Sequence, residues 1–247
     1  MVKIDVCIVA ARRPDLLERT LSSFFQNLIR NFSINRVIVN IDPLFGDDHD
    51  HERCISVLKS YFGDPPLMLT VRSPEQPGFC AAVKKNWLAT TTDYILHLED
   101  DWLLNRPVHA DILHFFQDKR VTQVSFLSKE KYWDTRRKGY IHAWRRRPKI
   151  FGIKLPYPKT TLPLFTTSPS FLRGSFARKA ASLMIERLDP EKQFFTHTNP
   201  ELQAYVAPYR NRLHGDDIIV TDIGRTWRAE RKIEKAIIDG SSVWTAA

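Results

Sequence analysis

Among 247 residues the chain has only three cysteines and nine glycines, and neither set is arranged into a familiar device. Cys7, Cys54 and Cys80 are widely spaced in apolar surroundings and show no paired metal spacing, so they read as reduced core residues. The glycines form no G-x-G-x-x-G and no G-x-x-x-x-G-K-[ST], which removes the usual glycine cradles for dinucleotides and triphosphates. There is no G-x-S-x-G elbow either, which argues against a serine hydrolase. No apolar run approaches the roughly 20 residues that span a bilayer. The start, Met1-Val2-Lys3-Ile4-Asp5, enters a strand without a signal-peptide pattern, so a soluble, cytoplasmic protein with no integral membrane segment is expected. No internal repeat or low-complexity linker appears, and one domain over 1–247 is the expectation.

What the chain has in excess is positive charge, and it is unevenly placed. Between Lys129 and Lys159, eleven Lys or Arg face only Glu130 and Asp134, so this short stretch carries the entire formal +9 of the chain. Tyr132, Trp133, Tyr140, Trp144, Phe151 and Tyr157 are interleaved with those charges. A charge excess confined to one segment points to a local anionic partner more than to general solubility.

Strand and helix patterns alternate along the first ~100 residues. Residues 6–10 read as a buried strand, and Ala11-Arg12-Arg13-Pro14 is the loop at its carboxyl end. Pro14 opens a helix with Leu16, Leu17, Leu21, Phe24 and Leu28 on one face. A second strand, 36–42, ends in Asp42, and a short helix follows with Ile55, Leu58, Tyr61 and Phe62. A third strand over 67–71 leads through a Pro/Gly loop into a helix carrying Phe79, Ala82, Val83 and Trp87. Next comes Tyr94-Ile95-Leu96-His97-Leu98, which runs into Glu99-Asp100-Asp101. Such βα units make a mostly parallel sheet flanked by helices, and right-handed crossovers put Arg12, Arg13, Asp42 and the acidic triplet along one edge. Further on, a helix over 108–116, strands over 123–127, 170–172 and 218–220, helices over 177–188 and from Asn199, and a final charged helix with Ile233, Ala236 and Ile237 are expected.

Three adjacent carboxylates repel unless protons or a hard cation intervene, so the triplet indicates Mg²⁺ or Mn²⁺ with a bound phosphate, or else a solvated acidic turn. Taken together, the Ala11-Arg12-Arg13-Pro14 loop, Asp42, the segment from Gly78 to Trp87 and Leu98-Glu99-Asp100-Asp101 resemble a GT-A glycosyltransferase. The likeness covers the first 105 residues well and the remainder loosely. It implies a Rossmann-like α/β fold with a nucleotide-sugar-binding half (1–105) and an acceptor-binding half built from loops (106–247). It also implies a D-x-D-like motif at Glu99-Asp100-Asp101 holding Mn²⁺ or Mg²⁺ and the diphosphate of a nucleotide sugar, a UDP-sugar first among donors. By that resemblance Ala11, Arg12, Arg13, Pro14, Asp42, Asn86, Glu99 and Asp100 hold the donor, with Asp101 and Asp100 on the metal. His214 and Asp222 are candidates for a further metal or diphosphate contact. An inverting transferase needs a carboxylate base. Glu201, at a helix start after Asn199-Pro200, is the first candidate, and Asp217 and Asp216 are its rivals.

Cations for phosphates and ring faces for unstacked bases are what a nucleic-acid acceptor requires. Arg136, Arg137, Lys138, Trp144, Arg145, Arg146 and Arg147 in the basic block, with Arg225 and Arg228 further on, are the candidate acceptor contacts. The expected acceptor is DNA with hydroxymethylated bases, as for the compact enzymes of viruses that decorate their genomes, acting in the host cytoplasm. Two alternatives stand beside it: a peripheral-membrane transferase of lipopolysaccharide or capsule synthesis, and a non-catalytic nucleic-acid-binding module on the same fold.

Overall fold

Lys3–Ala11 forms β1, and every residue after Lys3 is buried, as befits a strand covered on both faces. The computed structural model describes residues 1–63, 67–129, 139–144, 149–150, 153–154, 161–215, 217–238 and 241–246. After β1 the chain runs through α1 (Pro14–Asn27), β2 (Ser33–Asp42), α2 (Asp48–Phe62), β3 (Met68–Arg72), α3 (Phe79–Leu88) and β4 (Tyr94–Glu99). β2 and β4 lie parallel to β1 on either side, and β3 lies parallel to β2. The expected βα alternation is therefore the observed one.

The second half completes the same sheet. It contributes β5 (Trp102–Leu104), β6 (Val121–Phe126), β7 (Tyr140–Trp144), β8 (Lys149–Ile150), β9 (Ile153–Lys154), β10 (Thr161–Pro163) and β11 (Ser170–Arg173). Then follow α4 (Gly174–Leu183), α5 (Pro200–Val206), β12 (Arg210–His214), β13 (Val220–Asp222), α6 (Gly224–Glu230), β14 (Ile233–Ile238) and β15 (Ser241–Ala246). The nine-stranded order is β10-β7-β12-β6-β11-β4-β1-β2-β3, with β11 antiparallel to both β4 and β6. This mixed sheet, parallel through β4, β1, β2 and β3 and flanked by helices, is the α/β architecture expected from the sequence.

Alternation along β1 divides the interior. Ile4, Val6, Ile8 and Ala10 join the core packed by Leu17, Leu21 and Phe24 of α1 and Leu58 and Phe62 of α2. Cys7 and Val9 face the other layer, where Trp87 of α3 meets Phe176, Ala177 and Ala180 of α4. His97 sits fully buried in β4, where Trp87 Nε1–H donates to its Nδ1 at 3.1 Å. Burial pulls its pKa down to about 3, so the imidazole is neutral. All three cysteines are free and buried, and burial raises each thiol above its ordinary pKa.

Two expected helices take other forms. The 108–116 segment is a 3₁₀ stretch, Ala110–Gln117, that still buries Ile112, Leu113 and Phe116. The final charged helix is a hairpin of β14 and β15, in register from Ile233↔Ala246 to Ile238↔Ser241. Helical spacing of Ile233, Ala236 and Ile237 was outweighed there by the β-favouring run Ser242-Val243-Trp244-Thr245 across a two-residue link.

Candidate active site

The carboxyl ends of β1, β2 and β4 open into a cavity of about 390 Å³. The start of β11, running antiparallel, brings Thr166, Thr167 and Ser168 to the same edge.

The acidic triplet divides into three roles. Asp100 is the buried member, 2% exposed. Its Oδ2 accepts the Ala11 backbone N–H at 3.0 Å and Arg13 Nε at 3.2 Å, while Oδ1 takes Arg13 Nη2. Thr20, the one polar residue on the buried face of α1, donates its hydroxyl to the Asp100 carbonyl at 2.9 Å and accepts the Trp102 N–H at 3.1 Å. Helix α1 thereby pins the turn that follows β4. Asp101 is 8% exposed and lines the cavity. Its Oδ2 accepts Arg13 Nη2 at 3.1 Å and Arg228 Nη1 at 3.4 Å. Oδ1 takes no hydrogen bond from the described residues. Burial pushes the Asp101 carboxyl above its usual range; Asp100 adds to that, and Arg13 and Arg228 oppose it. Glu99 accepts Trp102 Nε1–H at 3.0 Å and the Thr167 hydroxyl at 3.1 Å.

Arg13 joins the two ends of the chain at this point. Burial works against its charge, but Asp100 and Asp101 more than offset this and hold the guanidinium charged well above its ordinary range. Its Cζ lies 5.4 Å from the Phe45 ring centroid and 5.2 Å from that of Trp227 on α6. Phe45 itself adopts φ 68°, a left-handed conformation uncommon for an aromatic residue. Helix α6 begins against the triplet, where the backbone N–H of Ile223 donates to the Asp101 carbonyl at 2.9 Å. A Cβ on Gly224 would overlap the Asp101 carboxylate. Gly224→Ala is therefore expected to move α6 off Asp101 and to cost about 1–3 kcal/mol, read by urea unfolding; an unchanged midpoint would show that α6 is not seated as described.

Asp42 lies 5% exposed at the end of β2 and also lines the cavity. Burial raises its pKa, while the Asn40 side chain at 2.7 Å and the Gly78 N–H at 3.2 Å hold its oxygens. The opposite wall consists of Ser128, Thr166, Thr167, Ser168 and Glu191. Glu191, in the loop between α4 and α5, was not singled out in the sequence. Its Oε1 accepts the Thr166 hydroxyl, the Thr167 N–H at 2.7 Å and the Thr167 hydroxyl at 3.2 Å.

Other expected site residues lie elsewhere. Arg12 pairs with Asp48 at 2.9 Å, and Pro14 is the buried first residue of α1. Asn86 is fully buried beneath the strands, where it donates to the Ile8 carbonyl at 2.9 Å and accepts from Arg72 at 3.1 Å. His214 stands edge-on to Phe115 and Phe126, with centroids 6.0 and 6.4 Å away, and does not line the cavity. Glu201 is exposed in the first turn of α5, and Asp217 is exposed and paired with Arg106 at 3.2 Å. Arg225 and Arg228, assigned to an acceptor surface, line the cavity instead. Asp216, Arg136, Arg137, Lys138, Arg145, Arg146 and Arg147 lie outside the described residues. Trp144 is described only through its backbone, in β7.

No group of three His, Cys, Asp or Glu among the described residues is placed to hold a metal ion unaided. Mg²⁺ and Mn²⁺ sites on phosphate substrates commonly use only one or two carboxylates, with phosphate oxygens and water completing the shell. Asp101, with Oδ1 uncommitted and Asp222 and Glu99 on the same cavity, fits that requirement.

No protein-family model matches the sequence, and no curated protein matches it. Solved structures do. TarS 1–349 of S. aureus is similar at a TM-score of 0.50 and 15% identity, over 89% of this chain and 60% of that one. The same protein in complex with UDP-GlcNAc gives 0.49 and 15%, over 89% and 58%. This chain thus spans about 60% of the TarS chain it resembles. The likeness is one of fold, and that fold is GT-A.

Proposed function

We propose that the chain is a glycosyltransferase that moves a sugar from a nucleoside-diphosphate sugar to an acceptor hydroxyl. What carries this reading is the charge of the cavity, where, among the described residues, three guanidiniums (Arg13, Arg225, Arg228) face six carboxylates (Asp42, Glu99, Asp100, Asp101, Glu191, Asp222). A diphosphate entering so acidic a cavity needs a cation with it, and Asp101 has an oxygen to offer one. When bound there, Mn²⁺ or Mg²⁺ supplies Lewis-acid neutralisation of the departing diphosphate.

The chain's own residues do the rest. Arg225 and Arg228 give the diphosphate fixed positive charge that needs no reorganisation during transfer. Asp42, with Phe45 and Phe79, lines the nucleoside end of the cavity. Glu191 receives the acceptor's proton as the acceptor oxygen bonds to the anomeric carbon and the bond from that carbon to the diphosphate breaks, its electron pair leaving with the diphosphate. A UDP-sugar is the first donor to test.

The acceptor is anionic in this proposal. Ser128, directly before the basic, aromatic segment 129–159, and Thr166, a few residues after it, both line the cavity. A basic, aromatic segment flanked in sequence by cavity residues suits a polyanionic acceptor, and DNA with hydroxymethylated bases supplies both phosphate and base. Lipopolysaccharide or capsule intermediates are the rival acceptors. No helix among the described residues is long and apolar enough to cross a membrane.

The test is release of nucleoside diphosphate from a panel of nucleotide sugars with Mn²⁺, with and without hydroxymethylcytosine or hydroxymethyluracil DNA. Turnover requiring metal and modified DNA is expected, with Asp101→Ala at least about 100-fold slower. Donor turnover indifferent to DNA but stimulated by an anionic saccharide lipid would move the acceptor to the envelope. Metal-independent DNA binding with no turnover of any donor would overturn the transferase reading in favour of a binding module.

A further inference from the structure

Two of the cavity carboxylates, Glu99 from β4 and Glu191 from the loop after α4, are both touched by one threonine. The Thr167 hydroxyl lies 3.1 Å from Glu99 Oε1 and 3.2 Å from Glu191 Oε1, and its backbone N–H adds a third contact, to Glu191 at 2.7 Å. Thr167 is 2% exposed, so no water competes freely for these bonds. Its neighbour Thr166 donates to the same Glu191 oxygen and is itself held by the Ser168 N–H at 3.1 Å. The Thr166 hydroxyl and the Thr167 N–H thus occupy Glu191 Oε1, and the one proton of the Thr167 hydroxyl is shared between that oxygen and Glu99, while Glu191 Oε2 takes no hydrogen bond from the described residues.

We propose that Thr167 is a positioning residue for transfer, its hydroxyl fixing Glu99 and Glu191 relative to each other so that Glu191 presents Oε2 to the acceptor hydroxyl. The proposal rests on the glycosyltransferase reading above. Its physical basis is that a base must be held within hydrogen-bond reach of the proton it takes, and a displacement of an ångström removes much of the gain from orientation. A glutamate has three rotatable bonds and would otherwise sample several positions. A hydroxyl has only one proton to donate, so Thr167 can serve both carboxylates only while their Oε1 atoms lie together on the side to which that O–H points. That constraint makes it a spacer as well as a hydrogen-bond partner.

The experiment is steady-state kinetics and donor binding by calorimetry for Thr167→Val and Thr167→Ser in the full chain. Valine keeps the branched shape and the backbone N–H but removes the hydroxyl, and serine restores the hydroxyl. Thr167→Val is expected to lower kcat about tenfold or more while donor Kd changes less than about twofold, and Thr167→Ser to recover most of the loss. An active wild type with Thr167→Val equally fast would overturn this inference alone. So would Thr167→Ser as slow as valine, which would assign the effect to packing, or donor affinity falling in proportion to kcat. A wild type that turns over no donor would overturn the glycosyltransferase reading and this inference with it.

Discussion

Arg13→Met is expected to lower folding stability by about 3–5 kcal/mol, because it strands two buried carboxylates that the guanidinium now satisfies. Asp100 is held by a two-pronged contact from Arg13, and Asp101 shares the same Nη2 group. Methionine fills much of the same volume beside Phe45 and Trp227, so the loss would be chiefly electrostatic. For a chain of this length the shift corresponds to a fall in Tm of roughly 10 °C, measured by thermal unfolding. Arg13→Met combined with Asp100→Asn should recover part of the loss, since the uncompensated charge goes with it. A Tm within about 2 °C of wild type for the single variant would show that the fork does not hold the site together. The same substitution should loosen α6, because Trp227 reaches the loop after β1 through Arg13.

The elements that the sequence made legible are those whose signals are local. Strands β1, β2 and β4 are largely buried and dominated by apolar residues, and β2 and β4 end in Asp42 and Glu99 at the cavity edge while Arg13 follows two residues after β1. Right-handed crossovers then bring Arg13, Asp42, Asp100 and Asp101 together without any long-range information. Arg12 pairs with Asp48 because adjacent positions on a strand-to-helix turn face different ways, and sequence spacing alone does not choose between Arg12 and Arg13; Asn86 lies on the buried face of α3, where it bonds the Ile8 carbonyl and Arg72. The opposite wall was not legible. Thr166, Thr167 and Ser168 reach the cavity because β11 runs antiparallel beside β4, a pairing that no local pattern encodes. Glu191 arrives from a turn held by Asp189, whose carboxylate accepts the Glu191 N–H at 3.0 Å and the Lys192 N–H at 3.1 Å. A carboxylate at a helix start, such as Glu201, carries a stronger sequence signal than one in a turn, although that position lies outside the cavity.

This difference between Glu201 and Glu191 supplies the sharpest expected contrast in activity. Glu191→Gln should reduce kcat by about 100- to 10,000-fold, the range for losing a positioned general base, with donor affinity within about twofold of wild type. Glutamine keeps the size and can still accept from Thr166 and Thr167 through its amide oxygen, so the fold should be little disturbed. Glu201→Gln should leave kcat within about twofold, because an exposed carboxylate in the first turn of α5 contributes only a weak interaction with the helix dipole. The measurement is nucleoside diphosphate release under saturating donor and acceptor for both variants, with Tm as the control for folding. If Glu201→Gln is the inactive variant, the base belongs to α5, and the acceptor must approach from the face that α5 presents to solvent. If neither variant slows turnover, no base comes from this wall, and Asp222, which lines the cavity beside Arg225, becomes the residue to replace next.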